Sequence, residues 1–213
     1  MTLEKDINTE SKIIKVAAEL FAKNGFDGTS VRDICKSADA NVSTISYYFG
    51  GKKELYKRIV DGIVEKILKY AMEKIDVQTI PENVDNLPIQ LKVKMLFKTL
   101  ETIIDYFYSN NISEAEIMII FREQMTSGIP INSKGYLFFK KLLASILGKN
   151  ENDKELIFRT ITIVGQIHSA RIFKQFSLDI MGQSNYEEED IRLIKTIVIG
   201  QVKAVLKEFG VEV

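Results

Sequence analysis

Apolar side chains recur every three or four residues along most of the chain, which predicts an all-α protein. The predicted helices cover about 9–24, 31–38, 42–48, 52–75, 89–109, 114–127, 133–147, 153–178 and 187–209. No stretch sustains the alternation of apolar and polar positions that a half-buried strand requires. Residues 76–88 hold two of the three prolines and predict a loop. We therefore expect about nine helices, and beyond this loop the chain no longer resembles a DNA-binding segment.

Capping residues define two short helices near the N-terminus. Ser30 precedes an apolar stripe, and Asp33 lies three residues further on, which predicts an N-cap with a shortened capping box. Asp39 follows the stripe and tolerates a left-handed turn conformation, and Asn41 is a good N-cap for the next helix. These residues predict a helix-turn-helix with its second helix at 42–48.

The outward face of this second helix is short, polar and uncharged. Helical spacing buries Ile45 and Phe49 and turns the other side chains outward, namely Val42, Ser43, Ser46 and Tyr47. Short side chains let a helix approach the edges of bases in a groove, and a tyrosine hydroxyl can reach a phosphate. The pattern therefore predicts a DNA-recognition helix.

The same stretch resembles the TetR family of transcriptional regulators. The resemblance rests on Gly25-Phe26, Thr29-Ser30-Val31, Ile34, Ala38, Thr44-Ile45, Tyr48-Phe49, Lys52 and Leu55. The letters NVSTISYYFG are most similar to the CecR/YbiH-like subgroup. The chain departs from the general family pattern at Asp39, Ala40, Asn41 and Ser46, of which Asn41 agrees with the subgroup.

The resemblance implies a homodimeric, ligand-responsive regulator without catalytic residues or a cofactor. Residues 1–50 would form a three-helix DNA-binding domain whose motif extends to about 56, and residues 51–213 a helical domain that binds an effector and dimerises. Paired recognition helices would enter successive major grooves of a palindromic operator, about 34–36 Å apart. An effector would then move the helix that begins at Lys52 and release a repressor. Activation, or control by a protein partner, remains an alternative.

Ten residues are predicted to contact DNA. Phosphate contacts are assigned to Thr29, Ser30, Arg32, Tyr47, Tyr48 and Lys52, and base contacts to Val42, Ser43, Thr44 and Ser46. The whole chain has no net charge, but residues 9–58 carry nine Lys and Arg against six acids. This local excess favours a phosphate partner at the N-terminal end.

Large, soft side chains on the middle helices predict an apolar effector cavity with a few polar groups, although such stripes are also typical of an ordinary core. The candidate ligand-binding residues are Tyr106, Met118, Phe121, Arg122, Met125, Phe138, Gln166, His168 and Arg171. A single histidine excludes a histidine-rich metal site. We predict no metal.

Small residues four apart on the last two helices predict close helix packing in a dimer, or alternatively within one chain. The candidate dimer residues are Phe158, Gly165, Ser169, Phe176, Ile197, Gly200, Gln201 and Ala204.

Several other classes of protein are disfavoured by the sequence. A single cysteine, Cys35, excludes an internal disulfide and lies on an apolar stripe. No apolar run approaches the length of a membrane span, and the acidic N-terminus does not resemble a signal peptide, so we expect a cytoplasmic protein. No nucleophile elbow, P-loop or metal-binding helix motif indicates an enzyme.

Overall fold

In the computed structural model, the described backbone covers residues 2–74, 84–109, 111–125 and 134–212, and the described side chains begin at residue 9 and omit 134 and 135. Within these ranges the fold consists of ten α-helices without a strand, which confirms the all-α prediction. They are α1 (Thr2–Asn24), α2 (Val31–Ala38), α3 (Val42–Phe49), α4 (Lys52–Lys74), α5 (Ile89–Tyr108), α6 (Glu114–Met125), α7 (Lys134–Leu147), α8 (Lys154–Ile172), α9 (Lys174–Met181) and α10 (Glu188–Glu208). The predicted loop at 76–88 lies largely outside the described residues; its last part contains a 3-10 turn, Val84–Asn86.

Two helix boundaries differ from the prediction. The first helix begins at Thr2 and not near residue 9. The helix predicted at 153–178 is two helices, separated at Phe173. The hydroxyl of Tyr186 donates a hydrogen bond of 2.6 Å to the carbonyl of Ala170, close to this break. A distant side chain thus satisfies a backbone acceptor where the helix ends.

The chain forms two compact units by its internal contacts. The first unit comprises Met1–Ile67 together with Ile112–Ile131, and the second comprises Leu68–Asn111 together with Asn132–Val213. Helix α6 therefore belongs to the first unit, in which it packs against α1. The functional domains predicted at 1–50 and 51–213 stay a prediction.

The helices of the first unit pack their apolar faces into a common core. Its fully buried side chains include Ile13, Ala17, Phe21, Ile34, Ile45, Leu55, Ile117 and Ile119. Cys35 is also buried, and burial raises the pKa of its thiol, so this cysteine is a core residue here. The short helices α2 and α3 are stabilised by this tertiary packing, since eight residues cannot form a stable helix alone.

The second unit has its own apolar core. Its buried side chains include Leu96, Leu100, Ile104, Phe139, Leu142, Leu156, Ile167, Val202 and Leu206, from α5, α7, α8 and α10. Buried threonines on these helices, such as Thr160, donate to the carbonyl four residues earlier and so remain satisfied. Across the described residues, no helix is both long and apolar enough to cross a membrane.

Candidate nucleic-acid interface

The predicted caps of α2 are present. Ser30 Oγ accepts a hydrogen bond of 3.1 Å from the backbone N–H of Asp33, and the Asp33 carboxylate accepts one of 3.0 Å from the N–H of Ser30. The hydrogen bond that the Ser30 hydroxyl donates to this carboxylate, followed by that from the Ser30 N–H, lowers the pKa of Asp33. The helix ends at Asp39 in the left-handed conformation, with φ 52°. The reciprocal capping fixes where the turn toward α3 begins.

Helix α3 begins at a cap that also binds two of its own hydroxyl groups. Asn41 Oδ1 accepts hydrogen bonds of 2.8 Å from both the backbone N–H and the hydroxyl of Thr44. The hydroxyl of Ser43 donates to the same oxygen. Ser43 and Thr44 therefore use their hydroxyl protons within the protein in this structure, and their oxygens keep acceptor capacity for a partner.

The outer face of α3 is held in solvent by its buried face. Ile45 is fully buried and Phe49 nearly so, whereas Val42 is 51% exposed and Tyr47 is 83% exposed. Tyr47 and Tyr48 contact each other edge to face, with ring centroids 5.1 Å apart. The exposed residues form a short, neutral surface with an aromatic end, which fits a helix that enters a groove.

Lys52 has partners within the first unit. Its Nζ donates hydrogen bonds of 2.9 Å to the carbonyl of Phe26 and 3.0 Å to that of Thr29, and it lies 4.2 Å from the centroid of the Phe26 ring. An ammonium group has three N–H donors, so one remains after these two bonds. The predicted phosphate contact of Lys52 stays a prediction, in which the lysine would join the phosphate to the loop before α2.

The structure corrects the assignment of Thr29. Its side chain is fully buried, and its hydroxyl is shared between the carbonyls of Gly25 at 2.8 Å and Leu20 at 3.2 Å. A threonine that closes the end of α1 in this way cannot offer its hydroxyl to a phosphate. The other predicted DNA contacts are exposed or half-buried, namely Ser30, Arg32, Val42, Ser43, Thr44, Ser46, Tyr47, Tyr48 and Lys52.

The nine candidate ligand-binding residues do not share one unit. Met118, Phe121, Arg122 and Met125 lie in the first unit, whereas Tyr106, Phe138, Gln166, His168 and Arg171 lie in the second. Within the first unit, Arg122 donates hydrogen bonds of 3.1 Å from Nε to Ala22 O and from Nη2 to Lys23 O. Its guanidinium group is thus engaged at the C-terminus of α1, which sequence spacing did not indicate.

The histidine of the second unit is a core residue. His168 is 6% exposed and its ring lies 4.5 Å from that of Phe107, centroid to centroid. Burial lowers its pKa to about 4, so the imidazole is neutral near pH 7. A contact between His168 and an effector stays a prediction.

An open groove of about 1190 Å³ in the first unit is lined by α1, α4 and the start of α6, with part of α3. A polar cleft of about 480 Å³ in the second unit lies beside Lys141 and Lys149. None of the nine candidate ligand-binding residues lines either of them.

All eight candidate dimer residues are exposed and lie on α8, α9 and α10 of the second unit. We call them, together with the other exposed apolar side chains of this part of the chain, the α8–α10 strip. The added side chains include Ile161, Ile172, Phe173, Ile180 and Leu193. Three of these side chains were not predicted. Phe173 lies at the unforeseen helix break and Ile180 after it, and Leu193 lies outside the small-residue pattern. Large apolar side chains exposed on neighbouring helices of one segment favour a protein–protein interface.

Known proteins resemble both ends of the chain. Residues 13–59 match the family described as bacterial regulatory proteins, tetR family, and residues 138–209 match the C-terminal domain of the HTH-type transcriptional dual regulator CecR. CecR of Shigella flexneri is 26% identical over 219 aligned residues, which cover 97% of this chain and 95% of that protein. The probable HTH-type transcriptional regulator YttP of Bacillus subtilis is 47% identical over 79 residues, but this match covers only 36% of this chain and 38% of YttP.

The fold has a counterpart among solved structures. A TetR-like transcriptional regulator from Rhodococcus sp. RHA1 superposes with a TM-score of 0.59 at 16% identity, covering 91% of this chain and 95% of that one. At such low identity the similarity establishes the helical fold. The two sequence matches add the regulatory class.

Proposed function

Because the chain belongs to the TetR family of transcriptional regulators, which are DNA-binding proteins and not enzymes, we propose that it is a homodimeric repressor released from a palindromic operator by a small-molecule effector. The observation that carries this proposal is the outer face of α3. It is neutral and exposed, and it is anchored from behind by Ile45 and Phe49. A helix presented in this way can lie in a major groove. Because its outer face carries no charge, that face is not drawn to the phosphates and can contact the base edges.

Each α3 carries the base contacts of one half-site. Val42, at the first turn of the helix and half exposed, offers a methyl surface to a thymine methyl group. Ser43 and Thr44 offer acceptor oxygens to DNA, because their hydroxyl groups already donate hydrogen bonds to Asn41 Oδ1. The phosphate contacts would come from Ser30, Arg32, Tyr47, Tyr48 and Lys52.

The α8–α10 strip supports the homodimer. Its phenylalanines and isoleucines are exposed in the single chain, and two copies related by a two-fold axis would cover them against each other. Gly165, Gly200 and Ala204 leave the backbones of α8 and α10 accessible, so the facing helices could approach closely. Two recognition helices held by such a dimer would meet one operator about 34–36 Å apart.

The effector acts through the spacing of the recognition helices. A ligand that binds equally well to both conformations of the dimer does not shift the equilibrium between them. The effector must therefore bind more tightly to the conformation with one of the two spacings. We infer that it moves α4, which begins at Lys52 and is separated from α3 only by Gly50 and Gly51. The protein would work in the cytoplasm, where the chromosome lies.

The dual-regulator name of CecR keeps activation as a second candidate. Transcription from the recovered operator in vitro, with and without the protein, separates repression from activation. Control by a protein partner is separated from control by a ligand by a thermal-shift screen against small apolar compounds.

Selection of bound fragments from a random DNA pool tests the proposal. We expect a palindrome, bound by two chains. Val42→Glu places a charge on the recognition surface and should abolish selection, whereas Leu137→Glu, a similarly exposed apolar position of the second unit, should not. Failure of the wild-type protein to bind any fragment at low ionic strength, or a strictly monomeric protein, would refute the proposal.

A further inference from the structure

Helix α6 joins the two units through the covalent chain. It packs within the first unit, but residues 68–111 before it and 132–213 after it belong to the second. Helix α4 also runs from the first unit into the second, at residues 67 and 68. In the function proposed above, the contacts that hold α6 to α1 and α4 are therefore one route by which an effector domain can be coupled to the recognition helices. Two adjacent residues of α6, Arg122 and Glu123, bind one of these helices each.

Arg122 covers the C-terminus of α1. The last carbonyls of a helix have no partner within it, and the guanidinium supplies donors to two of them, at Ala22 and Lys23. Gly25, which follows the helix with φ 79°, leaves room for this group, because a Cβ atom at this position would lie 3.3 Å from Arg122 Nη1. The glycine of the motif is thus matched to an arginine almost one hundred residues away.

Glu123 binds α4. The Tyr56 hydroxyl donates a hydrogen bond of 2.5 Å to Glu123 Oε1, and the glutamate is only 7% exposed. Its other oxygen, Oε2, is buried with no hydrogen-bond partner among the described residues. Burial, together with the carboxyl group of Glu123, raises the pKa of Tyr56, so the hydroxyl keeps its proton and remains the donor. Tyr56 is therefore the hydrogen-bonding partner that holds this carboxyl group in place.

The contact continues toward the recognition helices. The Tyr56 ring meets Phe21 and Phe26 edge to face, with centroids 4.9 and 5.2 Å apart. Phe26 in turn lies under Lys52, which also binds the carbonyl of Thr29 directly before the N-cap of α2. A displacement of α6 would thus meet a continuous set of packed rings and hydrogen bonds that ends at the helix-turn-helix.

We propose that Arg122 and Glu123 form a latch that fixes α1 and α4 to α6 within the first unit and so restricts the half-site spacing that the dimer accepts. Both act as positioning residues and touch no DNA. The proposal rests on the function proposed above and adds the residues that enforce its geometry. Breaking the latch frees α1 and α4 from α6 and so lets the recognition helices follow DNA of other spacings, whereas α3 itself keeps its caps and its buried anchors.

The test uses the selected operator and versions with one or two base pairs added or removed between its half-sites. Binding is measured by fluorescence anisotropy with the full-length protein, together with binding to a single half-site. We expect the wild-type protein to lose at least tenfold in affinity when the spacing changes. Arg122→Gln and Tyr56→Phe should flatten this profile to within about threefold, with half-site affinity unchanged.

Lys66→Met is the matched control. It breaks a pair between α4 and α6, Lys66 with Glu116 at 2.6 Å, in which the lysine is largely exposed. The Glu116 carboxylate keeps its hydrogen bonds from Ser113, and an ion pair with a solvent-exposed lysine contributes little, so the spacing profile should stay that of the wild type.

Tyr56→Phe leaves a buried carboxyl group without its donor and can unfold the first unit. The double variant Tyr56→Phe/Glu123→Met replaces the pair by apolar groups of similar size and should fold stably. It should still show the flattened profile. A folded double variant with wild-type spacing selectivity overturns the latch, and so does an equal loss of half-site and full-site affinity, which assigns the pair to the fold alone. Absence of DNA binding by the wild type instead refutes the proposed function.

Discussion

The ammonium group of Lys52 lies 4.2 Å from the centre of the Phe26 ring and donates a 2.9 Å hydrogen bond to the carbonyl of the same residue. The first residue of α4 is thereby fastened to the loop between α1 and α2. A lysine at a helix N-terminus is unfavourable for the helix dipole, and these contacts offset that cost. Lys52 therefore has a structural role even without DNA.

The structural role of Lys52 predicts the effect of Lys52→Met. Losing two charge-assisted hydrogen bonds and a cation–π contact should lower the free energy of unfolding by about 1–3 kcal/mol. Urea denaturation measures it, with the neighbouring exposed Lys53→Met as a control that should change little. If the remaining N–H also binds a phosphate, the variant lowers the affinity for all operator sequences alike. It then also lowers the slope of the logarithm of the binding constant against the logarithm of salt concentration by about one. An affinity loss confined to one base position contradicts that contact.

Val42 is expected to determine one base pair in each half-site. Val42→Ala removes the methyl groups that would contact a thymine methyl, so the preference at that position should relax by about 1 kcal/mol while the other positions keep theirs. The measurement is a preference matrix from selection with the variant. Tyr47→Phe, which removes only a hydroxyl assigned to a phosphate, should leave the matrix unchanged. An unaltered matrix for Val42→Ala contradicts its role.

His168 is expected to make the second unit less stable in acid. Its pKa is about 4 in the folded protein against an ordinary value of 6.5, so the unfolded chain takes up the proton first. The contribution of neutral His168 to the free energy of unfolding is complete above pH 6.5 and declines as the pH falls. At pH 4 about 3 kcal/mol of it is lost. Denaturation at pH 7.5 and 5 measures the slope, which His168→Gln should reduce. An identical pH dependence in the variant excludes His168 as its source.

Phe176 is expected to hold the dimer together. It is 67% exposed in the single chain, on the α8–α10 strip. Phe176→Asp would place a charge in a desolvated interface and should weaken dimerisation by at least a hundredfold, by about 3 kcal/mol or more. Sedimentation velocity at micromolar concentration should then show a monomer. Lys94→Glu, an exposed charge reversal on α5, should remain dimeric. A dimeric Phe176→Asp variant would place the interface elsewhere.

Position 39 is expected to tolerate glycine better than a β-branched residue. Its φ of 52° is left-handed, which aspartate tolerates and a β-branched side chain does not. Asp39→Gly should leave stability unchanged or raise it slightly, whereas Asp39→Val should lower it by about 1–2 kcal/mol. Thermal unfolding of both variants gives the comparison. Equal melting temperatures for the two substitutions contradict strain at this position.

The helix-turn-helix was predictable because its determinants are local. Ser30, Asp33 and Asn41 cap helices through residues two or three positions away, and Asp39 adopts the turn conformation that its side chain favours. The exposed face of α3 follows from the same short segment. The dimer residues were likewise found exposed, because small residues at helical spacing mark one face of a helix.

The remaining features depend on partners far apart in sequence. Arg122 resembled a polar group of a ligand cavity, but its acceptors are about one hundred residues earlier in the chain. Thr29 was predicted to contact a phosphate, yet its buried hydroxyl donates to the carbonyls of Leu20 and Gly25. The break at Phe173 is accompanied by a hydrogen bond from Tyr186 to Ala170, which helical periodicity alone does not reveal. Local patterns thus gave the elements, whereas tertiary contacts decided which side chains remained available.

The position of α6 limits how this protein could be recombined with others. A chimera that grafts residues 1–50 onto a foreign sensor would expose the carbonyls of Ala22 and Lys23, which Arg122 now covers. It would also separate Phe21 and Phe26 from the tyrosine ring that packs against them. A transplantable cassette must therefore carry two pieces of chain, 1–67 and 112–131, and the incoming sensor must accept an inserted helix as well as a fused end.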